Sequence, residues 1–251
     1  MAMLNEIKDY LDKELNIEAI DDYCSNGLEV QGADVVKKIV FMVDASVQGF
    51  EEAIRRNADM IIVHHGLIFG SIKRVCGILY NRIKLLINND ISLYAAHLPL
   101  DVHPVWGNNA QLAKLLGLND IRHYDVGKYE QLMVVGCLPS AVSFEKFLEQ
   151  VSDKINDKSR YLKFSDRPVK KIAVISGSGS QAVENAHQLG ADIFLTGESK
   201  LEAYHTAREL GISIVFAGHY YTEIIGLQAL CNHIKTMFDV TAEFIDLPTE
   251  L

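Results

Sequence analysis

Several features are missing from this 251-residue chain, and each absence removes a class of protein. The four cysteines, Cys24, Cys76, Cys137 and Cys231, are widely scattered and form no CxxC pair, so neither a disulfide framework nor a zinc ribbon is indicated. They read as buried free thiols in a reducing compartment. No apolar run approaches the roughly 18 residues that a membrane span needs. Met1 to Ile20 mixes Glu6, Lys8, Asp9, Asp12, Lys13 and Glu14 with Leu4, Ile7, Leu11 and Leu15. That three- and four-residue spacing describes a surface amphipathic helix, without the continuous apolar core of a secretory signal. The expectation is a cytoplasmic protein with no membrane partner. A segregated basic patch is also missing. With 24 Lys and Arg against 33 Asp and Glu, the formal charge is −9, which argues against nucleic acid as a partner.

What is present is ordinary soluble composition, 49% hydrophobic and 23% charged, in a length sufficient for one large or two modest domains. The most informative stretch is Ile61-Ile62-Val63-His64-His65-Gly66, a β-branched run that stops at two imidazoles. The carboxyl end of a strand is where open α/β sheets bind their ligands.

Around it, strands and helices alternate at short intervals. Gly27 to Gly32, Lys38 to Asp44, Met60 to His65 and Ser92 to His97 read as strands, and Val47 to Asn57 and Arg74 to Asn88 as helices. This is the pattern of an α/β fold with a largely parallel sheet. Pro99 and Pro104 argue for a shaped loop after His97. A helix follows from Ala110 to Leu116, with Asn108 or Asn109 as its cap. Residues 118–130 are polar and weakly patterned, which sets the expected domain boundary: 1–125 and 126–251, with the C-terminal strand crossing to the first half. Beyond it, Gln131 to Leu138 and Tyr161 to Phe164 read as strands, Phe144 to Ile155 as an amphipathic helix, and Thr222 to Phe238 as the last helix.

The second half repeats the first. Lys37 to Gly66 aligns without a gap on Lys170 to Ser199, and eight of the thirty positions are identical, including Lys38/Lys171, Ala58/Ala191 and Asp59/Asp192. Shared apolar periodicity produces some matches between any two strand–helix–strand units; an ungapped run closing on Ala-Asp and an apolar strand makes duplication the better reading. In this register His64-His65 is matched by Gly197-Glu198. The next strands also match, and they lead into HxxxD at His97 and Asp101 and HxxxE at His219 and Glu223.

Imidazoles and carboxylates together suit Zn, Mn, Fe or Ni, whereas magnesium or calcium would be content with oxygen. His64, His65, Asp101, His219 and Glu223 are more ligands than one tetrahedral ion uses, which suggests two divalent ions. Duller roles stay open: His97 holding the loop at Pro99, Asp101 in a turn, Glu198 as an acid at a helix start, and Glu223 as a surface acid. His103, His123, His187, His205 and His233 default to surface or structural roles. Ser176-Gly-Ser-Gly-Ser180 lacks the Lys-Ser/Thr of a phosphate loop and reads as a serine-capped turn that an anion could visit.

The stretches NGLEVQG (Asn26 to Gly32), ADMIIVHHG (Ala58 to Gly66), HLPLDVHPVWGNNAQLA (His97 to Ala113) and GHYYTEIIG (Gly218 to Gly226) resemble the NIF-three-like family, the GTP cyclohydrolase 1 type 2 homologs, over nearly the full length. The resemblance implies two interlinked α/β domains and a ring-shaped homohexamer. It implies a dinuclear centre carried by His64, His65, Asp101, His219 and Glu223, with His97 in or beside it. Many relatives have Thr-Gly-Asp where this chain has Thr196-Gly197-Glu198, and a larger insertion found in some relatives is absent. The expected activity is metal-dependent hydrolysis of a small molecule or nucleotide, with Glu198 or His97 moving protons. The alternative is a non-catalytic metal-binding or metal-chaperone oligomer acting through protein partners.

Overall fold

The computed structural model describes residues 1–72 and 74–249. These residues form two compact units, Met1–Trp106 with Gly226–Leu247, and Gly107–Ile225 with the residues from Pro248 on. Among the described residues no helix is long and apolar enough to cross a membrane.

The first unit begins with β1 (Ala2–Met3), α1 (Leu4–Glu14), β2 (Gly27–Val30), β3 (Val35–Val36), β4 (Lys38–Asp44), α2 (Val47–Arg55), β5 (Met60–His65), α3 (Gly77–Asn88), β6 (Ser92–Ala95) and α4 (Leu98–Asp101). Helix α1 buries Leu4, Ile7 and Leu11, the apolar stripe expected of it. Ser46 caps α2 by accepting a hydrogen bond from Gly49 N at 3.1 Å. Strands β4 and β5 are apolar almost throughout because both faces of a parallel sheet are covered. Val40, Met42, Phe50, Ile61, Val63 and Leu93 form the centre of this core.

The segment after His97 departs from the expected loop. Pro99 stands in the first turn of α4, where its missing N–H is not required, so Leu98–Asp101 closes into a helical turn. The amides of Leu100 and Asp101 both donate to His97 O, at 2.9 and 3.1 Å, which sets Asp101 one turn beyond His97.

The second unit comprises α5 (Asn108–Leu115), β7 (Asn119–Val126), β8 (Tyr129–Val142), α6 (Phe144–Lys154), β9 (Arg160–Leu162), β10 (Val169–Val174), α7 (Val183–Gln188), β11 (Ile193–Thr196), α8 (Leu201–Leu210) and β12 (Ser213–Phe216). Helix α9 (His219–Met237) starts in this unit and from Gly226 on belongs to the first, where β13 (Thr241–Phe244) ends the chain's regular structure. Phe147, Ile172, Val174, Leu195 and Val215 anchor the second core.

Two expectations need correction here. Neither Asn108 nor Asn109 caps α5: Gly107 holds the cap position, and both asparagines are fully buried in the first turn. Asn109 Nδ2 donates to Leu132 O at 2.7 Å, and its Oδ1 accepts from Ser176 N at 2.6 Å. The amide is thus spent on joining three segments. The domain boundary also does not fall at 125/126. Residues 118–130 lie inside the second unit, because β7 and β8 form an antiparallel hairpin whose first strand is largely exposed and therefore polar. The division comes at Trp106/Gly107, and residues 226–247 return to the first unit.

The first sheet has the order β13-β4-β5-β6-β2, parallel except for β2. The second, β7-β8-β10-β11-β12-β9, is mixed: β10, β11 and β12 run parallel and are flanked by antiparallel β8 and β9. The duplication read from sequence has a structural counterpart. Ile39 pairs with Met60 and Ile172 with Ile193, the same register in both halves. Asp59 Oδ2 accepts from the amides of Lys37 and Lys38 at 2.7 and 2.8 Å. Asp192 Oδ2 accepts from those of Lys170 and Lys171 at 2.9 and 2.8 Å. Three of the identical positions of the repeat, Lys37/Lys170, Lys38/Lys171 and Asp59/Asp192, thus clamp the start of one strand to the start of the next.

Candidate metal centre

In the first unit, β5 delivers His64 and His65, and the end of β6 delivers His97. Their ring centroids lie 4.8 Å (His64–His65), 5.0 Å (His64–His97) and 5.6 Å (His65–His97) apart. Each offers a nitrogen within 4.8 Å of the others, a grouping that could hold a metal ion. Asp101, carried by α4 and mostly buried, reaches His64 Nε2 with its Oδ2 at 3.7 Å.

The orientation of these rings is fixed from behind. His64 Nδ1 lies 2.9 Å from Ala96 O. A carbonyl only accepts, so Nδ1 carries a proton, and Nε2 is the nitrogen left to offer a lone pair to a metal. His65 Nδ1 lies 2.8 Å from Asp44 Oδ1, and His97 Nδ1 3.0 Å from Asp22 Oδ2. An acceptor behind Nδ1 is the usual support of a metal-binding histidine, fixing the ring and raising its basicity.

Asp22 is itself tightly held. It receives hydrogen bonds from Cys24 N at 3.1 Å, Asn26 Nδ2 at 2.8 Å and Leu98 N at 3.0 Å, while Asn26 Oδ1 accepts from His97 N at 2.7 Å. Burial pushes the Asp22 carboxyl up. The His97 hydrogen bond and charge, with Asn26 and Cys24, overcome this and hold it well below the usual carboxylate range. Beyond the histidine pair, Glu29 accepts from Leu67 N and Ile68 N at 2.7 and 2.9 Å and so shapes the exit from β5. Burial raises the Glu29 pKa against those two hydrogen bonds. Gly66 sits between Glu29 and β6: a Cβ there would come within 2.5 Å of Glu29 Oε1 and 2.8 Å of Ala95 Cβ.

In the second unit, α9 begins at His219, three residues earlier than the periodicity suggests. His219 and Glu223 therefore share one helix face, with Nε2 to Oε1 at 3.0 Å. Behind the ring, Glu198 Oε1 lies 2.6 Å from His219 Nδ1. Glu198 thus does for His219 what Asp44 does for His65. Glu223 is almost fully buried.

The Ser176–Ser180 turn contributes by bracing this pair. Gly177 N donates to Thr222 Oγ1 at 2.9 Å and Gly179 N to Thr196 Oγ1 at 3.1 Å. Gly177 O accepts from the amides of Gly197 and Glu198 at 2.9 and 3.0 Å. The amides of Ser176, Gly177 and Gly179 are thus directed at protein. Gly177 has φ of +57°, and a Cβ there would collide with Glu223 Oε1 and lie 3.2 Å from His219 Nε2.

The remaining histidines stand apart from both groups. His103 stacks on Trp106 at 4.6 Å and Trp106 on His233 at 3.8 Å, and Tyr10 Oη bonds His233 Nε2. His187 and His205 are exposed on α7 and α8, and His123 lies on β7. Sequence reasoning missed Asp22, Asp44, Asn26, Glu29 and Thr222. Asp44 carried a signal as the polar residue closing the apolar run of β4, and Asn26, Glu29 and Thr222 lie within the stretches that carry the family resemblance, although nothing in those stretches gives their roles.

A family model, Duf34/NIF3 (NGG1p interacting factor 3), matches residues 2–250. Among curated relatives, a "GTP cyclohydrolase 1 type 2 homolog" of Pyrococcus horikoshii is 42% identical, covering 98% of this chain and 99% of its own. One of the same name from Archaeoglobus fulgidus is 39% identical over 99% of both chains. A solved structure described as "protein ybgI, unknown function" superposes with a TM-score of 0.93 at 37% identity, over 100% of both chains. A chain matched from end to end at these identities is a member of the Duf34/NIF3 family.

Proposed function

We propose that the protein is a metal-dependent hydrolase with a dinuclear centre whose ligands are His64, His65, Asp101, His219 and Glu223, with His97 in or beside it. One observation carries this reading: four histidines in two repeated halves each have Nδ1 held by a carbonyl or carboxylate, which orients Nε2 for coordination. Bound divalent ions would acidify a water and polarise a carbonyl, ring carbon or phosphoryl group of a small-molecule substrate. The chain's own contribution is to hold the imidazoles in one tautomer. Glu198, hydrogen-bonded to His219, and His97, whose ring Asp22 holds from behind, are the groups placed to move protons. The relatives' name supports testing nucleotides first.

Elemental analysis of protein purified without chelators and then offered Zn, Fe, Mn or Ni is the first test. Stoichiometric metal is expected, with clear loss in His65→Ala. A protein that retains none after such loading would end the proposal. The metal-loaded protein should then turn over a member of a panel of nucleotides, phosphoesters and cyclic amides, with activity absent in His65→Ala. Metal without turnover across that panel would favour a metal-binding oligomer that works through partners. The resemblance also supports a homohexamer, which light scattering on the eluting protein will measure.

A further inference from the structure

The second unit holds a cavity of about 650 Å³ beside Glu198, within the size range of small-molecule sites. Its lining includes Lys158, Arg160, Phe216, Tyr221 and the backbone around Gly197 and Ser199. Two cations thus stand on the wall of one cavity in a chain of formal charge −9.

Both cations ride on pinned backbone. Buried Asn156 donates from Nδ2 to Ala217 O at 3.1 Å and accepts from Lys158 N at 2.9 Å, which ties the turn carrying Lys158 to the end of β12. Arg160 pairs in register with Phe216 across β9 and β12, two residues before Gly218 and three before His219. Among the described residues neither cation makes an ion pair, whereas nearby Lys163 is engaged by Glu145 and Asp166 at 2.9 and 3.2 Å. The carboxylate of the cavity, Glu198, has one oxygen held on His219 Nδ1. The wall therefore offers two cationic groups to a ligand, with the half-buried ring of Tyr221 beside them.

We propose that this cavity is the substrate subsite and that it takes a phosphorylated small molecule bearing a flat ring. Lys158 and Arg160 receive the phosphate, and the ring lies against Tyr221, so that the rest of the ligand faces Glu198 and His219. Arg supplies planar two-point recognition of phosphate oxygens and Lys a point charge. The assignment rests on the reading of His219 as part of the reacting centre, but the binding itself does not require metal.

The test is calorimetric titration of chelator-treated full-length protein with phenyl phosphate and with inorganic phosphate. Saturable binding of phenyl phosphate is expected, tighter than that of inorganic phosphate and weakened by salt. Lys158→Ala with Arg160→Ala should weaken it about tenfold or more, the effect of losing roughly 1.4 kcal/mol. Arg160→Lys should retain part of the affinity, and Lys163→Ala all of it. Circular dichroism will verify that the double variant is folded. Equal affinity in wild type and folded double variant, or no saturable binding by the wild type into the millimolar range, overturns the proposal. His65→Ala separates the two readings: it should abolish metal retention and leave phenyl phosphate binding to chelator-treated protein unchanged.

Discussion

At the scale of single residues, the centre depends as much on what stands behind the imidazoles as on the imidazoles themselves. Asp44 is the clearest case, because its side chain is 42% exposed and its bond to His65 Nδ1 is its contribution to the site. Asp44→Ala should lower metal affinity by about 10- to 100-fold, the usual cost of losing such a support. Competition against a chelating dye will measure it, and the metal-free melting temperature should barely change. An affinity equal to wild type would show that His65 needs no partner. Gly177→Ala should act differently. The new methyl lands on Glu223 at a positive φ, so it should reduce both metal affinity and the stability of the metal-free protein. Chelator competition and denaturant melts will read the two effects separately.

At the scale of elements, the duplicated clamp sets each parallel strand pair. Asp59 and Asp192 each satisfy two amides at a strand start, so Asp59→Ala and Asp192→Ala should each cost about 1–3 kcal/mol in urea unfolding. A cost in one half alone would argue that the repeat has diverged in mechanics as well as sequence. These clamps were legible beforehand as the identical Lys-Lys and Ala-Asp of the repeat, and the strands ending in His64-His65 and in Thr196-Gly197-Glu198 followed from apolar runs stopping at polar residues. The rest was hidden for physical reasons. The β7–β8 hairpin is polar because its first strand is exposed, and so it imitates a linker. Pro99 imitates a break because sequence does not say which turn of a helix it occupies. Asp22 lies 75 residues from His97 in the chain, and no periodicity connects the two.

At the scale of the whole molecule, the return of residues 226–247 to the first unit places them in one compact unit with residues 1–106. His233 on α9 bonds Tyr10 of α1 and stacks on Trp106. Burial lowers the His233 pKa, more than neighbouring Glu14 raises it. The fold therefore prefers the neutral ring. Its contribution is present above the unfolded pKa of about 6.5 and declines as pH falls through that value toward the lower folded pKa. The melting temperature of metal-free protein should drop from pH 7.5 to pH 5.5, and His233→Gln should make that drop shallower. An identical slope in the variant would place the acid sensitivity elsewhere.

The strand order β13-β4-β5-β6-β2 also has a consequence for synthesis. Strand β4 leaves the ribosome some two hundred residues before the neighbour that will cover its open edge, since Lys38 waits for Thr241. The second unit, whose sheet is completed by Phe216, has all its strands while that edge is still bare. A strand emitted early is thus sealed late. Nascent chains stalled shortly after residue 225 should expose an adhesive strand that full-length chains conceal, and chaperone capture should fall once β13 has emerged.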